Sequence, residues 1–292
     1  MVASSALFEG LIDDAAMFPP GNAAVGEAVG AHQGYRRSWF APMIGPLVVS
    51  DQKFAEVGRA LRRLPIDHGE NMTATPLAVA VVNISGAGGL ASLVGRDVEG
   101  VRVVAVESAL RDLDDLAGNA HRLVSAAAEL DDTVRVFVEI PYAPGWEKAV
   151  AVVEAAGYYG KLRTGGLDPV DVPPTDQLAR QLSVLVEADL PFKATAGLHH
   201  ALALPGSDQE RPRQHGFLNL LVAIEALVDG AFQDEAARLL GRTDSRGVVE
   251  HLAAWDDSQA SRIRRRFRSF GCCGVLDPVN DLVALGLVAE PQ

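Results

Sequence analysis

Four lysines stand against twenty-two arginines in this 292-residue chain, so a lysine kept inside an apolar run asks for a chemical reason. Two of the four lie in such runs. Lys161 sits in Tyr-Tyr-Gly-Lys-Leu-Arg-Thr-Gly-Gly and Lys193 in Leu-Pro-Phe-Lys-Ala-Thr-Ala-Gly, each just ahead of glycines that open a loop. Alternate side chains of an extended segment share a face, which groups Lys161 with Arg163 and Lys193 with Thr195. If those faces line one interior, two ammonium groups and a guanidinium crowd one partly dehydrated mouth. Each weakens its neighbours' hold on a proton, and the expectation is a neutral amine able to attack a carbonyl carbon. The competing reading is a pair of lysines that neutralises buried carboxylates.

Carboxylates are at hand. Glu107 closes Val-Arg-Val-Val-Ala-Val-Glu and Glu139 closes Val-Arg-Val-Phe-Val-Glu, and both are expected at strand C-terminal ends as proton carriers or counterions. Near the start of the chain Leu11-Ile12-Asp13-Asp14-Ala15 runs into Met17-Phe18-Pro19-Pro20, an apolar run, then carboxylates, then a rigid turn. One carboxylate of the pair is expected to face inward. Asp14 is assigned to substrate binding, with Arg163, Thr164, Thr195, His199, His200 and Gly271.

His199 and His200 follow the Lys193 run and His215 opens the next helical stretch, so three imidazoles converge on one rim in this reading. With Glu139 and Asp14 they would offer a divalent-metal site. The chain has neither His-x-His at its first strand nor His-x-x-x-His on a helix, so hydrogen bonding to substrate oxygens is preferred, and neither metal nor cofactor is expected. Ser269-Phe270-Gly271-Cys272-Cys273-Gly274 is small and glycine-rich, suited to bringing backbone amides close to an anion. Its two cysteines are adjacent and have no third thiol to pair with, which fits a reducing compartment. Inert, buried thiols are preferred over a reactive one.

The elements that must position these groups follow from periodicity. Short runs rich in Val and Ile alternate with stretches whose apolar residues fall three and four apart, as in a parallel sheet covered by helices. Strands are expected at Gly10 to Ala15, Gly45 to Ser50, Pro76 to Val82, Val101 to Glu107, Val134 to Ile140, Tyr158 to Thr164, Pro191 to Ala196 and Arg268 to Gly274. Helices are expected at Asp51 to Arg63, Ala109 to Leu130, Gly145 to Ala156, Thr175 to Ala188 and His215 to Asp229. The stretch Phe217 to Ala223 also passes as a strand, which leaves the eighth strand open between two segments. The architecture is an α/β (β/α)8 barrel, one domain over residues 1–292, with its eighth strand at 268–274.

A net charge of −12 argues against a partner made of nucleic acid, whose binders present a basic face. The basic run Arg262 to Arg268 reads as the solvated face of a helix. Met1 to Leu7 carry no basic segment followed by an apolar one, and no apolar stretch reaches the length of a membrane span, so the protein is read as cytoplasmic. The expected partner is a small carbonyl or phosphorylated molecule, with neither nucleic acid nor membrane; a homo-oligomer is compatible with the sequence.

Taken together, Val136-Phe137-Val138-Glu139-Ile140-Pro141, Lys161-Leu162-Arg163-Thr164-Gly165 and Phe192-Lys193-Ala194-Thr195-Ala196-Gly197-Leu198 resemble three successive strands of the deoxyribose-phosphate aldolases. That family consists of Schiff-base (class I) aldolases on a (β/α)8 barrel. The resemblance covers about a third of the chain and implies that Lys161 forms the imine and that Lys193 lowers its proton affinity. Leu11-Ile12-Asp13 resembles the family's first strand. The chain departs from the family at Arg163, where a small residue is usual, at Gly271-Cys272-Cys273-Gly274, which replaces a serine-bearing phosphate loop, and on the fourth strand, where Glu107 must stand in for the acid-base aspartate. The reading that follows is a lyase acting on a small oxygenated carbonyl compound, phosphorylated or not. The alternatives are a metal-assisted hydrolase or isomerase, and a non-catalytic barrel that binds a sugar or nucleotide phosphate.

Overall fold

A computed structural model describes residues 3–64, 75–206 and 213–291. Eight strands, β1 (Ile12–Asp14), β2 (Ile44–Ser50), β3 (Leu77–Asn83), β4 (Val101–Ala109), β5 (Arg135–Glu139), β6 (Tyr159–Arg163), β7 (Phe192–Thr195) and β8 (Phe267–Cys272), pair in sequence order and in parallel. β1 pairs with both β2 and β8, so the sheet closes into a barrel. All eight expected strands are present, and the eighth is the segment after the basic run.

Helices fill the connections: α1 (Val25–Tyr35), α2 (Phe54–Leu61), α3 (Gly86–Leu93), α4 (Leu116–Ala127), α5 (Trp146–Ala155), α6 (Thr175–Glu187), α7 (Phe217–Val228), α8 (Gln233–Leu240), α9 (Ser245–Ala253), α10 (Asp257–Arg266) and α11 (Leu276–Ala284). The expected helix from Ala109 is shorter than its apolar spacing suggested. β4 runs through Ala109, and α4 starts only after Asp115, whose side chain caps it by accepting from the Gly118 N–H. Among the described residues four helices, α7 to α10, lie between β7 and β8.

The ambiguous stretch Phe217 to Ala223 is helical because α7 is enclosed on all sides. Its Phe217 ring stacks on Phe270 of β8 at 4.9 Å, while α8, α9 and α10 cover its far side. A helix buried all round needs no polar face, so its sequence loses the periodicity that marks an amphipathic one.

Two packing layers follow from strand alternation. Ile12, Leu47, Val49, Val79, Val81, Val106, Val136, Val138, Leu162, Phe192, Ala194 and Phe270 join the large core between sheet and helices. Val48, Ala80, Ala105 and Phe137 form a separate cluster inside the barrel, with Ala15, Val82 and Tyr159 against it. The basic run is a solvated helix face only in part, since α10 ends at Arg266 and Arg268 lies in β8. Arg264 is largely buried and donates to the carbonyls of Leu7, Glu9, Phe267 and Arg268, tying the start of the chain to β8. Burial pushes its guanidinium down to about 10. Among the described residues no helix is long and apolar enough to cross a membrane.

Candidate active site

The interior cluster stops one layer below the strand ends, and a cavity of about 830 Å³ opens above it. Glu107, Glu139, Lys161, Arg163, Lys193, Thr195, His199, Gly271 and Cys273 all contribute to its wall. Parallel pairing sets Glu139 beside Lys161 and Lys161 beside Lys193, so three ionisable side chains enter the barrel from adjacent strands at one level. Glu107 reaches them from β4, one strand further round.

Glu107 joins the two lysines. Its Oε2 lies 2.8 Å from Lys161 Nζ and its Oε1 2.5 Å from Lys193 Nζ. Lys161 Nζ is also 3.1 Å from Glu139 Oε2, and Lys193 Nζ is 2.5 Å from Asp13 Oδ2. Ser269 Oγ donates to that same Asp13 oxygen at 2.7 Å, and the Phe137 ring lies 5.4 Å from the Lys193 ammonium. At the rim Arg163 Nε donates to Glu139 Oε1 at 3.0 Å. The centre is a chain of alternating charge, Asp13, Lys193, Glu107, Lys161, Glu139 and Arg163.

Burial alone would raise the Glu107 carboxyl, but the charges of Lys161 and Lys193 outweigh it and bring it down to about 2. Glu139 is also held below the ordinary carboxylate range, because Lys161 and Arg163 outweigh its burial. Burial would lower the Lys193 ammonium, yet Asp13 and Glu107 raise it above the ordinary lysine value. Asp13 is raised, since burial exceeds what Lys193 and Ser269 return. The expected crowding of bare cations is thereby corrected: Glu107 and Glu139 stand between them, Asp13 closes the far side of Lys193, and Lys193 holds its proton more firmly than an ordinary lysine.

Several side chains fall elsewhere. Asp14 faces the helices, with Oδ2 3.0 Å from His32 Nδ1 and no exposure; the inward member of the pair is Asp13. Thr164 also faces away from the cavity, its hydroxyl donating to the Ala196 carbonyl at 2.6 Å and to that of Thr195 at 3.2 Å. It holds the turn after β7, where Ala196 and Gly197 both take positive φ, 64° and 77°. His200 Nδ1 lies 3.2 Å from Asp281 Oδ2, outside the cavity. His215 donates from Nε2 to the Pro173 carbonyl at 2.8 Å beneath the helices. The imidazoles therefore do not gather. The donors weighed for a metal, His199, His200, Glu139 and Asp14, point to four different partners. Among the described residues no three His, Cys, Asp or Glu side chains are arranged to hold a metal ion.

Sequence reasoning did not single out Ser269, Phe137 or Asn83. Asn83 lines the cavity at the end of β3 and donates to Ser108 Oγ at 2.9 Å and to the Gly86 carbonyl at 2.8 Å. Ser269 shares the inward parity of Gly271 and was legible from alternation on the last strand.

Fold and site define a (β/α)8 barrel with a buried centre of two lysines and three carboxylates at the C-terminal strand ends. No family model matches the chain, and none of the curated proteins matches it. Among solved structures it is similar to Xanthomonas albilineans dihydropteroate synthase with 4-aminobenzoic acid, at 12% identity over 97% of this chain and 95% of that chain, with a TM-score of 0.32. The fold assignment rests on the closed eight-stranded barrel itself.

Proposed function

We propose that the protein is a carbon-carbon lyase of the Schiff-base aldolase type, with Lys161 as the imine-forming residue. The observation that carries this reading is the inequality of the two lysines. Lys193 is 2% exposed and closed in by Asp13, Glu107 and the Phe137 ring, whereas Lys161 is 6% exposed and lies between Glu107 and Glu139, the latter partly open to the cavity.

In this mechanism Lys161 passes a proton to Glu139, and Nζ attacks the substrate carbonyl carbon. The bonded nitrogen gives a second proton to the alkoxide so formed, Glu139, partly open to the cavity, returns the first to the resulting hydroxyl, and water leaves as the iminium forms. The iminium accepts the electron pair of the Cα–Cβ bond, one removed from the imine carbon. This bond breaks as a carboxylate takes the proton of the Cβ hydroxyl, and the far fragment leaves as an aldehyde. Protonation of the enamine at Cα followed by hydrolysis releases the second product and frees Lys161. Glu107 is held ionised by two ammonium groups, so it serves better as the fixed anion that steadies the iminium than as the proton carrier. Lys193 orients Glu107 and keeps its charge compensated when Lys161 is consumed. Arg163, Thr195 and the glycine-lined rim at Gly271 are assigned to the oxygens of the substrate, and a phosphate or carboxylate is within the means of that rim.

The test is intact-mass spectrometry after borohydride reduction with a panel of small hydroxyaldehydes and ketones. A covalent increment equal to a reduced imine supports the reading. A protein that stays unmodified with every carbonyl in the panel contradicts it.

A further inference from the structure

Cys272 and Cys273 both lie near the His199 ring, Cys272 Sγ at 3.7 Å from Nδ1, but only Cys273 lines the cavity. Strand alternation turns Cys272 into the core, where it donates to the Gly274 carbonyl at 3.3 Å and burial pushes its thiol up to about 12. Cys273 takes the inward parity of Ser269 and Gly271 and lines the cavity.

His199 and two backbone amides converge on the Cys273 sulfur, and Asp277 backs the imidazole. His199, from the turn after β7, also lines the cavity and places Nε2 3.4 Å from Sγ. Asp277 at the start of α11 lies with Oδ2 3.3 Å from His199 Nδ1, on the far side of the ring. The backbone N–H groups of Gly21 and of Cys273 itself donate to the sulfur and favour negative charge there. Sulfur, imidazole and carboxylate thus stand in the order nucleophile, base, orienting group.

We propose that Cys273 is a second nucleophile of the cavity, with His199 as its base and Asp277 orienting that base, and that it adds reversibly to the carbonyl carbon of a small aldehyde. The thiol proton passes to His199 Nε2 as the sulfur-carbon bond forms and the carbonyl π bond opens onto oxygen. The alkoxide then takes the proton back, giving a neutral hemithioacetal. Nothing is oxidised or reduced, and the reverse steps release the aldehyde. The base is necessary because burial, with the charges of Asp277 and Asp14, keeps the resting group a thiol. The step requires no imine, so it stands or falls separately from the role of Lys161.

The experiment is iodoacetamide labelling of the full-length protein across pH, mapped to each cysteine by peptide mass spectrometry, with and without glycolaldehyde. General-base assistance of this kind is worth about a hundredfold or more, so Cys273 should be alkylated well ahead of Cys272, and His199→Ala should slow it at neutral pH by at least tenfold. Asp277→Asn, at a half-exposed position, should slow it less and guards against a folding artefact in the first variant. Glycolaldehyde should protect Cys273 equally in the wild type and in Lys161→Met. Equal labelling of the two cysteines, an unchanged rate in both variants, or protection that vanishes in Lys161→Met would overturn the proposal; the last result would still leave the imine at Lys161 standing.

Discussion

Lys193 Nζ and Asp13 Oδ2 meet at 2.5 Å although 180 residues separate them in the chain. The contact spans β8 and so links the first strand to the seventh across the closure of the barrel. With Glu107 on the other side of the ammonium, it holds a nearly fully buried lysine between two carboxylates. Removing Lys193 leaves Asp13 with no cation and Glu107 with only Lys161. Lys193→Met is therefore expected to lower unfolding free energy by roughly 3–5 kcal/mol in urea titrations, while Asp13→Asn, which keeps a hydrogen-bonding oxygen, costs less.

Gly45 lies against the same carboxylate. A Cβ at that position would stand within van der Waals overlap of Asp13 Oδ1, and Asp13 cannot swing aside without losing Lys193 and Ser269. Gly45→Ala should destabilise the protein by about 1–3 kcal/mol and weaken borohydride trapping as well, since both depend on Asp13. Loss of neither property would show that Asp13 has room to move.

Asp14 and Asp13 are adjacent but face opposite sides of β1. Asp14→Asn should shift the thermal unfolding midpoint through His32 and leave trapping at the wild-type rate, whereas Asp13→Asn should affect both. Single-turnover trapping combined with thermal melts separates the two. Equal effects on trapping would return Asp14 to the cavity.

Acid stability should fall in two windows of opposite chemistry. His215 is buried and its imidazolium is disfavoured, with its value lowered from 6.5 to about 4. The unfolded chain binds that proton first, so stability is lost as pH falls from 6.5 toward 4, by roughly 3 kcal/mol in all. Glu107 is lowered from 4.5 to about 2, so its contribution is complete above 4.5 and is lost as pH falls through 2. Asp13, raised by burial, acts in the opposite sense and blunts the second window. Urea midpoints measured from pH 7 to pH 3 should show a shallower fall above pH 4 in His215→Gln, and a shallower fall below pH 4.5 in Glu107→Gln.

Much of this was legible in the sequence because strands and sites are written locally. Each barrel strand is a short β-branched run, and the scarcity of lysine made Lys161 and Lys193 stand out at their ends. Alternation correctly put both on one face. What the sequence could not supply was the partner of each charge, since Asp13, Glu107 and Lys193 meet only when the barrel closes. Asp14 and Thr164 were misplaced for a different reason. Their parity was readable from the strands, as Ile12 and Leu162 beside them face the helices, but the functional assignment was made by residue type instead. The imidazoles were grouped by closeness in sequence, and His200 and His215 were instead turned outward by Asp281 and Pro173.

The central claim is that the two lysines are unequal, one a locked counterion and the other the imine-forming amine. Peptide mapping of the borohydride-reduced adduct tests it most directly. The expected result is a single modified peptide containing Lys161, no adduct in Lys161→Met, and a slower adduct still on Lys161 in Lys193→Met if that variant folds. An adduct on Lys193, or one that survives in Lys161→Met, would contradict it.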